Sequence, residues 1–326
     1  MNFTLLPFVL ASLIPNKGGP WKYGPEYQFA LELNMIASMN EDNGTLLGTR
    51  VAGKLKCRPH LTDITSLICR TEETKIIRIH PKEFHISSID IYKNDSYSLF
   101  GMGRDNFQIK FNRNGIENYI LEDAKRPSSD FVTDMIRLVA NQLSIGVDLE
   151  REHYNNEFTK LENFTIGNCE TNFSISRRPV PENESRRKMK YKLVSVFNDK
   201  LFNFSEDEKL IIGKRRNVHN CKRRKEYFFG TRYTFGIVLR DVYNDLTSSV
   251  SQMVLSKNNF TSETINECEI FDLERNHLGK IMDHMKLTLE NIQPARDELL
   301  PIMKEKPVDI LAGDSVVIAV NHYKND

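Results

Sequence analysis

The stretch YQFALELNM, Tyr27 to Met35, decides the fold class. Tyr27, Phe29, Leu31, Leu33 and Met35 are apolar, while Gln28, Glu32 and Asn34 between them are polar. Alternation over nine residues sets one face of an extended chain against a core and the other toward solvent: a half-buried strand. The rhythm continues outward. Val51, Leu55 and Cys57 share one parity, and Leu67 and Cys69 follow across the short connection RPHLTDITS. Two cysteines twelve residues apart on neighbouring strands can close a hairpin. TKIIRIH and ISSIDIY read as strands. NFQIKFNRNGIENYIL reads as a strand pair turned at Asn114-Gly115. After Cys169 come TNFSIS, KYKLVSVFN, KLIIGK, KEYFFGTRYTFGIVL, SSVSQMVLS, INECEIFDL and HMKLTLENI. The linking RRPVPENESRRK reads as an exposed loop.

One segment breaks the pattern. SSDFVTDMIRLVANQLSI places Val132, Met135, Ile136, Val139 and Leu143 at helical spacing, after a Ser128 or Ser129 cap. Phe131, Leu138 and Ile145 widen the apolar face, so a helix over 129–145 is buried on most sides. A single buried helix among many strands predicts a mainly β fold wrapped around one central α-helix.

The 326 residues suffice for one large all-β domain or two ordinary ones, and 40% hydrophobic content excludes global disorder. Charge is uneven. Residues 177–225 hold 16 Lys and Arg against 6 Asp and Glu, so +10; with a net charge of +1, the rest is −9. A basic segment on an acidic chain points to an anionic partner. Phe3 to Ile14 is an apolar run of signal-peptide length, too short to span a bilayer, without a basic flank. Seven sequons lie beyond it: Asn43, Asn94, Asn163, Asn172, Asn183, Asn203 and Asn259. Together they predict a secreted glycoprotein without a transmembrane segment.

Five cysteines remain: Cys57, Cys69, Cys169, Cys221 and Cys268. Cys221 stands in RRNVHNCKRRKEYFFG, where neighbouring cations would lower a thiol pKa, or where the sulfur belongs to a disulfide. No CxxC spacing, GxSxG, HExxH or P-loop occurs. His219 with Cys221, and His277 with His284, supply two ligands each, and two do not make a zinc site. Neither an enzyme nor a zinc protein is expected.

Four stretches carry a resemblance. PWKYGPEYQFALEL resembles the opening of vitellogenins, egg-yolk precursors of the large lipid-transfer protein family. FQIKFNRNGIENYIL with DFVTDMIRLVANQL resembles that family's strand pair and buried helix. NFTIGNCETNFSI and IIGKRRNVHNCKRRKEYFFG resemble its two cysteine-bearing strands, with Phe173 in a tyrosine's place. The resemblance runs in register over about residues 20–290. It implies an N-terminal β-barrel over 17–293, after a signal peptide at 1–16, and a Cys169–Cys221 disulfide. Cys57–Cys69 is the second expected bridge, with Cys268 free. Residues 294–326, of weak periodicity, are expected to be a C-terminal tail or the truncated start of a helical domain. The family's polyserine segment and lipid-cavity domains have no counterpart here, so a shortened protein or a fragment is expected.

The resemblance also implies lipid transport and recognition by receptors that carry acidic, calcium-binding repeats. The expected contact surface is Arg186, Arg187, Lys188, Lys214, Arg215, Arg216, Lys222, Arg223, Arg224 and Lys225. The alternative is a lipid-independent extracellular protein, an immune factor for instance, that uses the same surface on anionic partners. Nucleic acid is disfavoured, because the basic run lacks stacking aromatics.

Overall fold

The computed structural model describes residues 11–12, 23–40, 45–60, 63, 65–92, 94–102, 105–112, 114–122, 130–148, 156–181, 192–193, 207–224, 242–257, 259–300, 302–303 and 305–310. The strands are β1 (Ala11–Ser12), β2 (Pro25–Met39), β3 (Leu46–Pro59), β4 (Ser66–Pro81), β5 (Ile89–Asp90), β6 (Ser98–Leu99), β7 (Phe107–Asn112) and β8 (Gly115–Glu122). The helix α1 (Asp130–Asn141) follows. Then come β9 (Glu157–Phe164), β10 (Gly167–Pro179), β11 (Lys192–Leu193), β12 (Glu208–Lys222), β13 (Tyr243–Ser256), β14 (Asn259–Phe271), β15 (His277–Pro294) and β16 (Glu305–Val308).

The main sheet runs β16-β8-β7-β4-β3-β2-β15-β14-β13-β12-β10-β9, and its neighbours are antiparallel. Mid-sheet, β2 pairs with β15 from Pro25↔Pro294 to Met39↔Gly279, so sequence-distant strands meet at its centre. The alternation in β2 is realised as read: Tyr27, Phe29, Leu31, Leu33 and Met35 are all buried in one core.

Helix α1 buries Met135, Leu138 and Val139 in that core. Its polar pair Asp134–Arg137 is also buried, joined at 2.6 Å, and Arg137 Nε donates to the Asp309 carbonyl. The helix is shorter than predicted. Gln142, Leu143 and Ser144 donate to carbonyls three residues back, which tightens the last turn, and Gly146 follows at φ +85°. Ser128 and Ser129 lie outside the described residues.

Two expectations need correction. Among the described residues the sheet is open, since its end strands β9 and β16 do not pair. The helix packs on the apolar face without closure of the sheet into a barrel. ISSIDIY is not one strand: Ile86–Ser88 form a 3-10 turn and only Ile89–Asp90 pair, with His80–Pro81. The segment after Pro294 is tied to the sheet. Asp297 binds Arg58 at 2.7 Å, and β16 pairs with β8. Of KYKLVSVFN only Lys192–Leu193 is described, and KEYFFGTRYTFGIVL lies outside the described residues. Of the expected signal peptide only Ala11–Ser12 is described; it pairs with β11.

Candidate partner-binding face and the ion cluster behind it

Strand β12 carries the densest part of the basic run. Leu210, Ile212, Lys214, Arg216 and Val218 share one parity and are all buried. The strand therefore sends two cations into the core between apolar neighbours. Burial of charge is tolerated only with a partner. That partner is Glu162, on the edge strand β9. Pairing sets Cys169 opposite both Glu162 and Cys221, and Thr171 opposite Arg216, with an irregularity in the β10–β12 register between Cys169 and Thr171.

Lys214 Nζ donates to Glu162 Oε1 at 2.8 Å and to the Ser144 carbonyl at 2.7 Å. Arg216 Nε donates to Glu162 Oε2 at 2.9 Å and Nη2 donates to Oε1 at 3.1 Å, the two-pronged geometry suited to a carboxylate. Its Nη1 reaches the Ser249 and Ser251 hydroxyls, and its guanidinium lies 4.0 Å from the Phe164 ring centre. The polar seam continues through Ser251–Thr264 at 2.8 Å, Gln142 to Thr264 at 3.0 Å, and Asn266 to Asp283 at 2.9 Å. It thus crosses the core face from β9 to β15, beneath the end of α1. A cavity of about 10 Å3 beside Asn141, Thr264 and Asn266 has room for one water.

Burial alone would raise the Glu162 pKa, but Arg216 and Lys214 outweigh it and hold the carboxyl below its ordinary range. Burial pushes Lys214 down to about 8, against the attraction of Glu162. Lys214 and Arg216 therefore leave the predicted contact surface, because they complete a buried ion cluster.

Arg215 points the other way and is exposed, opposite Asn172 on β10 and Val250 on β13. Lys222 and Arg223 are exposed where the strand ends, and Arg223 takes a left-handed φ of +55°. Arg224 is half-buried and pairs with Asp245 at 2.6 Å. Arg186, Arg187, Lys188 and Lys225 lie outside the described residues. Their partners on β10, Asn172 and Asn168, are four residues apart, so at roughly 3.3 Å per residue Arg215 and Lys222 stand about 13 Å apart along the sheet, and the exposed charge is a short line.

The disulfides Cys169–Cys221 and Cys57–Cys69 each join directly opposed residues of paired strands. Cys221 is thus no free thiol. Cys268 is free and buried, and burial drives its pKa well up. His219 is exposed; His277 pairs with Glu269, and His284 with Glu263 at 3.3 Å. Among the described residues no group of three His, Cys, Asp or Glu stands close enough to hold a metal ion.

Of the sequons, Asn94 is exposed in a turn and Asn172 is exposed on β10. Asn163 and Asn259 are half-buried. Asn43, Asn183 and Asn203 lie outside the described residues. No helix among the described residues is long and apolar enough to cross a membrane.

A large, open antiparallel sheet on one buried helix, stapled by two cross-strand disulfides, is a mostly β architecture. The family model of the vitellogenin N-terminal domain matches residues 21–297, and the chain belongs to that family. Among solved structures, one described as lipid-protein interactions in lipovitellin matches with a TM-score of 0.55 at 13% identity. The match covers 94% of this chain and 30% of that one, so this chain spans less than a third of its length. A search of curated proteins gives no match.

Proposed function

We propose that the chain is a secreted, vitellogenin-like binding module of the lipid-transporter family, which engages an acidic partner through the exposed cations of β12 and its end. The observation that carries this reading is the split of the basic run. Lys214 and Arg216 are consumed in the core, while Arg215, Lys222 and Arg223 remain in solvent beside a disulfide. Charges on a stapled strand lose little freedom on docking, which favours binding over a merely solvated face. A short line of cations, about 13 Å along the sheet, suits an extended or repeated acidic partner. The calcium-binding repeats of lipoprotein-type receptors have that chemistry. Binding to a recombinant acidic repeat is expected to weaken as salt rises from low ionic strength, because exposed charges are screened beyond about 8 Å at physiological salt. Salt-independent binding, or none at low salt, would remove this reading.

A second reading, lipid-independent binding, draws on the packed interior. The face beneath α1 is filled by side chains, with a cavity sized for one water. Lipid extraction from the purified chain separates the two: stoichiometric phospholipid supports lipid carriage, and its absence supports the second reading.

A further inference from the structure

Residues 91–99 expose Ile91, Tyr92, Tyr97 and Leu99, with Leu99 82% and Tyr92 57% exposed. Four large apolar side chains on one short surface segment require a cover. The segment is not loose. The Asp95 amide donates to the Tyr92 carbonyl at 3.0 Å, closing a turn with Asn94 at its third position. Asp95 Oδ2 accepts from the Tyr92 amide and bonds His80 Nε2 at 2.8 Å. The Tyr92 ring stacks on His80, with centroids 4.0 Å apart and planes at 22°. Tyr92 is therefore held in place with its other face in solvent.

Asn94-Asp95-Ser96 is a sequon, and Asn94 is exposed with no hydrogen-bond partner among the described residues. It differs from the other six in one respect. The residue two positions before the acceptor is Tyr92 here, against Glu41, Leu161, Glu170, Pro181, Leu201 and Lys257 elsewhere. A pyranose offers a face of C–H bonds, and such a face packs on an aromatic ring. We propose that Asn94 carries an N-linked glycan whose first sugar packs on the exposed face of Tyr92. In the transfer, Asn94 Nδ2 forms a bond to C1 of an oligosaccharide carried on a polyprenyl diphosphate. The C1–O bond breaks, the diphosphate leaves, and the amide gives up one proton to base. This step rests on the exported reading above, since that chemistry occurs along the secretory route.

The test expresses the full chain in eukaryotic cells, once with its own N-terminus and once behind a cleavable heterologous leader. Amidase release of N-glycans converts an occupied Asn94 to Asp, which peptide mass spectrometry reads. Occupied protein is expected to melt about 2–4 °C above Asn94→Gln and Ser96→Ala, which lack the glycan by different routes. Trimming to a single sugar keeps the gain. Tyr92→Ala and Tyr92→Leu keep the occupancy and lose the gain. An unoccupied Asn94 in the leader-driven chain overturns the proposal, as does an equal gain in both Tyr92 variants. Occupancy behind the leader alone supports the glycan site and counts against export by the native N-terminus.

Discussion

Lys214 Nζ lies 2.8 Å from Glu162 Oε1, and each of these side chains is 1% exposed. Fifty-two residues separate them in sequence, so the sheet's register alone makes the pair. Arg216 shares the same carboxylate, which leaves the cluster with one cation in excess.

That imbalance predicts unequal substitutions. Glu162→Gln strands two buried cations and is expected to cost about 3–5 kcal/mol. Lys214→Met leaves the matched Glu162–Arg216 pair and is expected to stay within about 1 kcal/mol of the parent. Denaturant melts read both. The folded Lys214 pKa, about 8, lies below its unfolded value of about 10.4, so the unfolded chain holds this proton more tightly. The parent should therefore gain stability relative to Lys214→Met as pH rises through that window. Glu162 is shifted down, so its contribution is present at neutral pH and lost in acid below the ordinary carboxylate range.

Gly146 holds a φ of +85°, and a Cβ there would stand 2.6 Å from the Glu162 carboxylate, which the cluster fixes in place. Gly146→Ala is expected to destabilise by at least about 2 kcal/mol, by thermal unfolding. A smaller loss in Gly146→Ala with Glu162→Gln than the two single losses added together would show that the contact is shared.

How much of this was legible in sequence varies by element. The β2 alternation, the Cys57–Cys69 hairpin and the buried face of α1 each follow from local period, and the structure keeps them. The basic run was misread, although its parity was available: Leu210, Ile212 and Val218 mark the inward positions, and Lys214 and Arg216 fall between them. What no local pattern supplies is Glu162, whose segment EFTKLENF carries no charge signature and reaches the cations only through β10. Asn34 shows the same limit. It is polar by parity and faces away from the main core, yet it is 1% exposed and bonded to Arg50 and His284. The ISSIDIY segment failed for another reason, since Ile86–Ser88 close a 3-10 turn, only Ile89–Asp90 pair with β4, and Ile91 is exposed.

Tyr119 Oη is buried and makes no hydrogen bond among the described residues. Burial also pushes its pKa far up. Tyr119→Phe removes an unsatisfied hydroxyl without changing the ring, and is expected to leave stability unchanged or raise it by up to about 1 kcal/mol. A loss above that in a chemical melt would reveal a partner for the hydroxyl.

The Cys169–Cys221 bridge spans 52 residues of sequence. Replacing both cysteines by serine is expected to cost roughly 4 kcal/mol in the loop-entropy account. The same change at Cys57 and Cys69, which span 12, should cost about 3 kcal/mol. Unfolding of the two variants in urea measures the difference.

The proposed function turns on which cations of the run face outward. The most direct measurement is binding of an acidic lipoprotein-receptor-type repeat, at low salt, to Arg215→Glu with Arg223→Glu, compared with the parent and with Lys214→Met. Arg215 and Arg223 are exposed, so the double reversal should keep the parent melting temperature and lose at least tenfold in affinity, while Lys214→Met should bind as the parent does. Unchanged binding in the folded double variant, or an equal loss in Lys214→Met, would contradict the account.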